Sequence, residues 1–116
     1  MVFNSGAALT TSSIVGGSGD DSLRFLSDIG QGNVVAAGDG ADTVYISAGV
    51  SSASIALDGG SDILTFTSTV QNSTIDFGAG SENFTLTVGF VSSTLSAGND
   101  ADTLVFSETL TSSSVS

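Results

Sequence analysis

The sequence predicts an all-β protein, a single parallel β-solenoid of about five coils of about 20 residues each. Three observations predict it. Five segments line up without gaps: SIVGGSGDDSLRF (13–25), VVAAGDGADTVYI (34–46), SIALDGGSDILTF (54–66), TIDFGAGSENFTL (74–86) and TLSAGNDADTLVF (94–106). In this alignment Asp21, Asp42, Asp62, Glu82 and Asp102 share one column, at spacings of 21, 20, 20 and 20 residues. After each acid, apolar residues recur with period two, the mark of a strand with one buried face. A fixed period of this length is the signature of a repeat architecture.

Each coil is justified in chain order. Residues 1–12 form a partial coil, because VFNS at 2–5 resembles VFSE at 105–108. Full coils follow at about 13–33, 34–53, 54–73, 74–93 and 94–113, and 114–116 begin another. No linker interrupts the series, so 1–116 is one repeat domain. Within a coil the post-acid strand carries the inward pairs Leu23 and Phe25, Val44 and Ile46, Leu64 and Phe66, Phe84 and Leu86, Leu104 and Phe106. Four residues on lies a further apolar column of Ile29, Val50, Val70, Phe90 and Leu110. A Ser/Thr/Asn/Gly-rich stretch comes next. A second strand then carries Ile14 or Val15, Val34 or Val35, Ile55, Ile75, Leu95 and Val115, and leads into the Gly/Asp turn. A unit of this size cannot close a core alone; stacking like residues on like, about 4.8 Å apart, buries it. Five coils then make a rod on the order of 25 Å long. Six of the seven Phe fall at inward positions, and only Phe3 lies outside the aligned units. A β-sandwich of hairpins is the rival, but copies in a single register suit a parallel stack better.

Composition narrows the function. The chain has no Cys, Pro, His or Trp, and Arg24 is its only basic residue. Twelve acids give a net charge of −11, which repels nucleic acid and anionic membrane surfaces alike. No stretch is long enough to insert into a membrane. The N-terminal MVFNSGAALTTSS lacks the basic region of a secretory signal. Without His, Cys or Lys, only carboxylates remain for acid–base work, so no enzymatic activity is expected. The near absence of Lys and Arg suits an extracellular or cell-surface setting rich in divalent ions.

The turns read GGSGDDSL, AGDGADTV, LDGGSDIL, FGAGSENF and AGNDADTL, with the shared pattern G-x-G-x-[DE]-x-apolar. Corner geometry explains the glycines and some of the acids. It does not explain a whole column of acids. Parallel stacking brings neighbouring carboxylates about 5 Å apart, a repulsion of roughly 1 kcal/mol per pair in water and more at a protein-like dielectric. Asp20, Asp39, Asp58 and Asp100 add to the same edge, and Asp76 is near. Hard oxygen ligands at this density suit Ca²⁺.

These turns resemble the RTX (hemolysin-type) calcium-binding β-roll repeat, G-G-x-G-x-D-x-U-x with U apolar. Gly16 to Leu23 matches it position for position, Ala37 to Val44 departs only at the first Gly, and the other three depart further. The resemblance implies Ca²⁺ held between successive turns by Asp21, Asp42, Asp62, Glu82 and Asp102 together with turn carbonyls, in up to four sites. RTX rolls carry two such nonapeptides per coil; this chain has one. The opposite edge is uncharged, and side-chain hydrogen-bond ladders are expected to hold it.

Outward rows run Ser22, Thr43, Ile63, Asn83, Thr103, then Arg24, Tyr45, Thr65, Thr85, Val105, then Leu26, Ser47, Thr67, Thr87, Ser107. Threonine is also an ordinary outward strand residue. The expected function is a calcium-stabilised structural rod, of a surface layer, adhesin stalk or matrix filament, that self-associates head-to-tail through open coil edges or laterally. The alternatives are a module binding ice or polysaccharide on its Thr/Ser face, and an accessory repeat domain of a larger secreted enzyme.

Overall fold

A computed structural model describes the backbone of Val2–Phe3 and all of residues 9–116. All regular structure in these residues is strand. In chain order the strands are β1 (Val2–Phe3), β2 (Ser13–Ser18) and β3 (Ser22–Phe25); β4 (Val34–Asp39), β5 (Thr43–Ile46) and β6 (Val50–Ser51); β7 (Ser54–Gly59), β8 (Ile63–Phe66) and β9 (Val70–Gln71); β10 (Thr74–Asp76), β11 (Asn83–Leu86) and β12 (Phe90–Val91); β13 (Thr94–Ser96), β14 (Thr103–Phe106) and β15 (Leu110–Thr111); and β16 (Ser114–Val115).

The strands stack into three parallel sheets. The post-turn sheet has the order β1-β3-β5-β8-β11-β14, the pre-turn sheet β2-β4-β7-β10-β13-β16, and a third sheet β6-β9-β12-β15. Register is uniform: Val44 lies beside Leu64, Leu64 beside Phe84, and Phe84 beside Leu104. Val2–Phe3 adds one more strand to the post-turn sheet, beside Arg24 and Phe25. The chain is therefore a parallel β-solenoid of about five coils.

Two features differ from expectation. The column of Ile29, Val50, Val70, Phe90 and Leu110 is a sheet of its own, extended by bridges from Leu9 to Ile29 and from Ile29 to Val50. Its strands are two residues long, too short for an alternating pattern to declare them. The stack is also a squat block of 36 × 32 × 20 Å rather than an elongated rod.

The core fills the triangle. Phe25, Phe66, Phe77, Phe84 and Phe90 are fully buried, and Phe106 packs half-buried beside them. Phe84 meets Phe66, Phe77 and Phe106 edge-to-face at centroid distances of 5.9, 5.6 and 5.5 Å, a favoured geometry for aromatic pairs. The side chain of Phe3 lies outside the described residues.

The corner between the third and pre-turn sheets follows from its small polar residues. Thr11, Ser52, Asn72, Ser92 and Ser112 all have positive φ, from 48° to 55°, and Gly32 holds the same place at 75°. Each coil thus turns through one left-handed residue, a conformation that β-branched apolar residues resist. Next to it runs a ladder. The backbone N–H of Ser12 donates to Asn33 Oδ1 at 2.8 Å. Those of Ala53, Ser73 and Ser93 donate to the hydroxyls of Ser73, Ser93 and Ser113 at 3.2, 3.1 and 3.2 Å. The uncharged edge is held by side-chain ladders, as its composition predicts.

At β14 to β16, the edge strands of the three sheets, burial falls away: Leu104 and Phe106 are half-buried, and Leu110 and Val115 are exposed. Phe66→Ala should therefore cost about 3–5 kcal/mol, the usual range for deleting a buried aromatic, and Phe106→Ala clearly less. Denaturant unfolding of both variants measures the difference, and equal losses would contradict this core.

Candidate functional site

The acid column owes its position to strand parity. The acid lies two residues before the first inward apolar residue of the post-turn strand, as in Asp42, Val44, Ile46 and Asp62, Leu64, Phe66. Period two puts all three on the inner face. Asp42 and Asp62 are accordingly 1% exposed and Glu82 2%, while Asp21 and Asp102, at the two ends of the column, are half-buried. From the sequence alone these acids are expected at a charged edge; the alternation of the apolar residues, carried back one step, is the signal for their burial.

Each carboxylate works first on the backbone. Asp42 Oδ1 accepts the N–H of Asp21 at 2.7 Å, Asp62 Oδ1 that of Asp42 at 2.8 Å, and Asp102 Oδ1 that of Glu82 at 3.2 Å. This is the device of the serine corner, with a carboxylate in place of a hydroxyl. The step from Asp62 to Glu82 breaks the series, because neither oxygen of Glu82 has a hydrogen-bond partner. Asp42 Oδ2 and Asp62 Oδ2 are likewise buried without partners. Four carboxylate oxygens thus sit out of water unsatisfied, which is costly for any polar group and more so for a charged one.

Burial is the main influence on the titration of Glu82 and Asp62. It pushes the Glu82 carboxyl up from 4.5 to about 7, helped by the adjoining Asp102 carboxyl and by the charges of Asp102, Asp62 and Asp100. Asp62 is also raised, by burial and by the charges of Asp42 and Asp58, against the N–H of Asp42, which lowers it.

The turn closes over the column through glycine. Gly60 has φ of +140°, and a Cβ there would collide with the carbonyl oxygen of Gly40 in the preceding coil. Gly80, at +146°, would meet the Gly60 carbonyl in the same way, and its Cβ would also sit 2.6 Å from Glu82 Oε1. Glycine at these places lets turn carbonyls of successive coils stack closely beside the acids.

The supporting acids do not join the column. Asp20, Asp39, Asp58 and Asp100 are exposed and lie at different levels of the turn. Asp20 Oδ1 accepts the N–H of Ala41 at 2.9 Å, and Asp100 Oδ2 that of Gly80 at 3.2 Å. Asp39 pairs in register with Ser18 and Gly59, whereas Asp58 is level with Gly38 and has a positive φ of 68°. Asp76 is exposed too, with Oδ1 accepting the N–H of Gly78 at 3.2 Å. The single crowded edge expected from the sequence is in fact an inner file and an outer fringe.

Among the described residues, no three His, Cys, Asp or Glu side chains converge on one point. A cation at the column would therefore need backbone carbonyls or water as further ligands. The donors fit a hard divalent ion: all are oxygens, and four are buried and unsatisfied. A recess of about 300 Å³ outside the third sheet, lined by residues including Asp28, Gly49, Thr69 and Gln71, offers one carboxylate, whose Oδ1 already accepts the Gly49 N–H at 2.8 Å.

Comparison with family models, curated proteins and solved structures finds no match for this chain.

The raised Glu82 sets a pH dependence. A carboxyl that holds its proton more tightly when folded stabilises the fold fully below its unfolded value, near 4.5, and loses that contribution as pH rises through about 7. In chelator, the thermal midpoint should be higher at pH 5 than at pH 8, and Glu82→Gln should flatten the fall. Circular-dichroism melts test this; a midpoint that climbs from pH 5 to pH 8 would contradict it.

Proposed function

We propose that this chain is a non-enzymatic structural module, an RTX-like β-solenoid that Ca²⁺ stabilises and that assembles outside the cell. One observation carries the reading: a file of buried carboxylates with four oxygens unsatisfied inside an acidic protein. A divalent cation would neutralise that file and stabilise the folded state over the unfolded one. Asp21, Asp42, Asp62, Glu82 and Asp102 would hold it, with carbonyls of the Gly-rich turn. Oxygen sites with few charged ligands bind at about 10⁻⁴–10⁻³ M, which suits extracellular calcium.

The assembly part of the reading draws on the edge strands. Strands β14, β15 and β16 are the last strands of their sheets among the described residues, with Leu110 and Val115 exposed beside them. Unpaired strand edges are templates for another strand, and a head-to-tail contact that does not close builds a filament. Such a module would serve a surface layer, an adhesin stalk or a matrix fibre. The outer Thr rows favour an ice or polysaccharide surface less, because Tyr45 and Ile63 interrupt them.

A calcium titration followed by far-UV circular dichroism and light scattering in the same samples tests both parts. Strand signal or thermal midpoint should rise with calcium and return with chelator, and scattering should grow alongside. A chain equally folded and equally stable in chelator and in calcium would overturn the cation reading. Constant scattering would overturn the assembly.

A further inference from the structure

Within the column Glu82 is the odd member, and its difference is geometric. Asp42, Asp62 and Asp102 each commit Oδ1 to a backbone N–H of the preceding coil. Each therefore has one oxygen left for anything else. Glu82 commits neither oxygen, although its side chain is 2% exposed. Its extra methylene forfeits the ladder bond that an aspartate would make to the N–H of Asp62. The chain thus gives up a backbone cap at this level and buries both oxygens of one carboxylate without a partner. Gly80 opens space for it, since a Cβ at that position would crowd Glu82 Oε1. The Asp102 carboxyl adjoins it, and the charges of Asp62 and Asp100 also act on it.

We propose that Glu82 is a bidentate cation ligand that makes the column selective for Ca²⁺ over Mg²⁺, with the strongest site of the chain at its level. This rests on the cation reading above and says which residue sets its specificity. A bidentate carboxylate places two oxygens at a narrow angle on one ion. Ca²⁺ accepts that, taking six to eight oxygens in an irregular shell, whereas Mg²⁺ demands a near-ideal octahedron and gives up water reluctantly. Asp42, Asp62 and Asp102, with one free oxygen each, are monodentate and discriminate little. Their levels would fill later and with either ion.

The test is calorimetric titration of the intact chain with Ca²⁺ and, separately, with Mg²⁺, at pH 7.5 and fixed ionic strength. The first site of the parent chain should prefer Ca²⁺ by tenfold or more. Glu82→Asp restores the length that makes the ladder bond, so it should fold; it should weaken Ca²⁺ by about tenfold, leave Mg²⁺ nearly unchanged and so collapse the preference. Asp28→Asn, at the recess outside the third sheet and away from the column, should leave the preference of the first site intact. Tb³⁺, used as a calcium probe, reads denticity directly. Its luminescence lifetimes in H₂O and D₂O should report about one more bound water in Glu82→Asp than in the parent. Should Glu82→Asp fail to fold, Glu82→Gln keeps the shape, loses the charged pair of oxygens and should show the same loss. Unchanged calcium affinity and preference in the Glu82 variants would overturn this inference while leaving the cation reading in place. A parent chain that binds no Ca²⁺ would overturn both.

Discussion

The structure depends on one repeated interaction, a backbone N–H at a coil corner capped by the side chain of the residue one coil further on. Strand ladders satisfy the backbone along the three faces, and coil-to-coil backbone bonds run on through the corners, as from Ser52 to Gln71 and from Gly60 to Ala79, but at two corners one N–H per coil goes to a side chain instead. A buried N–H left there would cost more than an ordinary hydrogen bond returns. At one corner Asn33, Ser73, Ser93 and Ser113 supply the acceptor. At another Asp42, Asp62 and Asp102 supply it. The two corners solve the same problem, and they differ in what is left over. A serine hydroxyl also donates, as Ser73 and Ser93 do to the carbonyls of Gln71 and Val91, both at 2.8 Å. A carboxylate has nothing to donate and keeps a second, charged oxygen.

Parallel stacking turns that leftover into the dominant electrostatic feature of the molecule. Because register is uniform, whatever stands at a position in one coil stands about 4.8 Å from its copy in the next. For Phe, Leu and Val this builds a continuous core. For acids it builds a file of like charges inside a low-dielectric block, with Arg24 as the chain's sole basic residue and exposed on the far side of the strand. Protons and divalent cations both relieve such a file. The high affinity of Glu82 for a proton expresses that strain, and the calcium proposed for the column would relieve it in the same way. A module of the proposed kind would be stiffened by its medium.

Most of the fold was legible in the sequence, because repetition writes it five times. The acid spacing set the coil length, and the period-two apolar pairs set the post-turn strands. The third sheet was visible only as a column of Ile29, Val50, Val70, Phe90 and Leu110, since two-residue strands cannot show alternation. The carboxylate column was found, but its orientation was not. Glycine-rich neighbours drew Asp42 and Asp62 into the turn, while their parity with Val44 and Leu64 placed them inside. The outer acids illustrate the converse. Asp20, Asp39, Asp58 and Asp100 are close in sequence to the column, yet each lies at another level of the corner, because they precede their column acids by one, three, four and two residues. The isolation of Glu82 from the ladder depends on a single methylene, a matter of side-chain reach that no pattern of residue types expresses.

The most direct test of the central claim is the stability of Asp62→Asn, by thermal unfolding at pH 8 in chelator and again in saturating calcium. Asparagine keeps the oxygen that caps the N–H of Asp42 and removes the buried charge. The variant should be more stable than the parent in chelator and less stable than the parent in calcium. A variant weaker than the parent in chelator would contradict the claim, because the negative charge would then be supporting the metal-free fold rather than straining it.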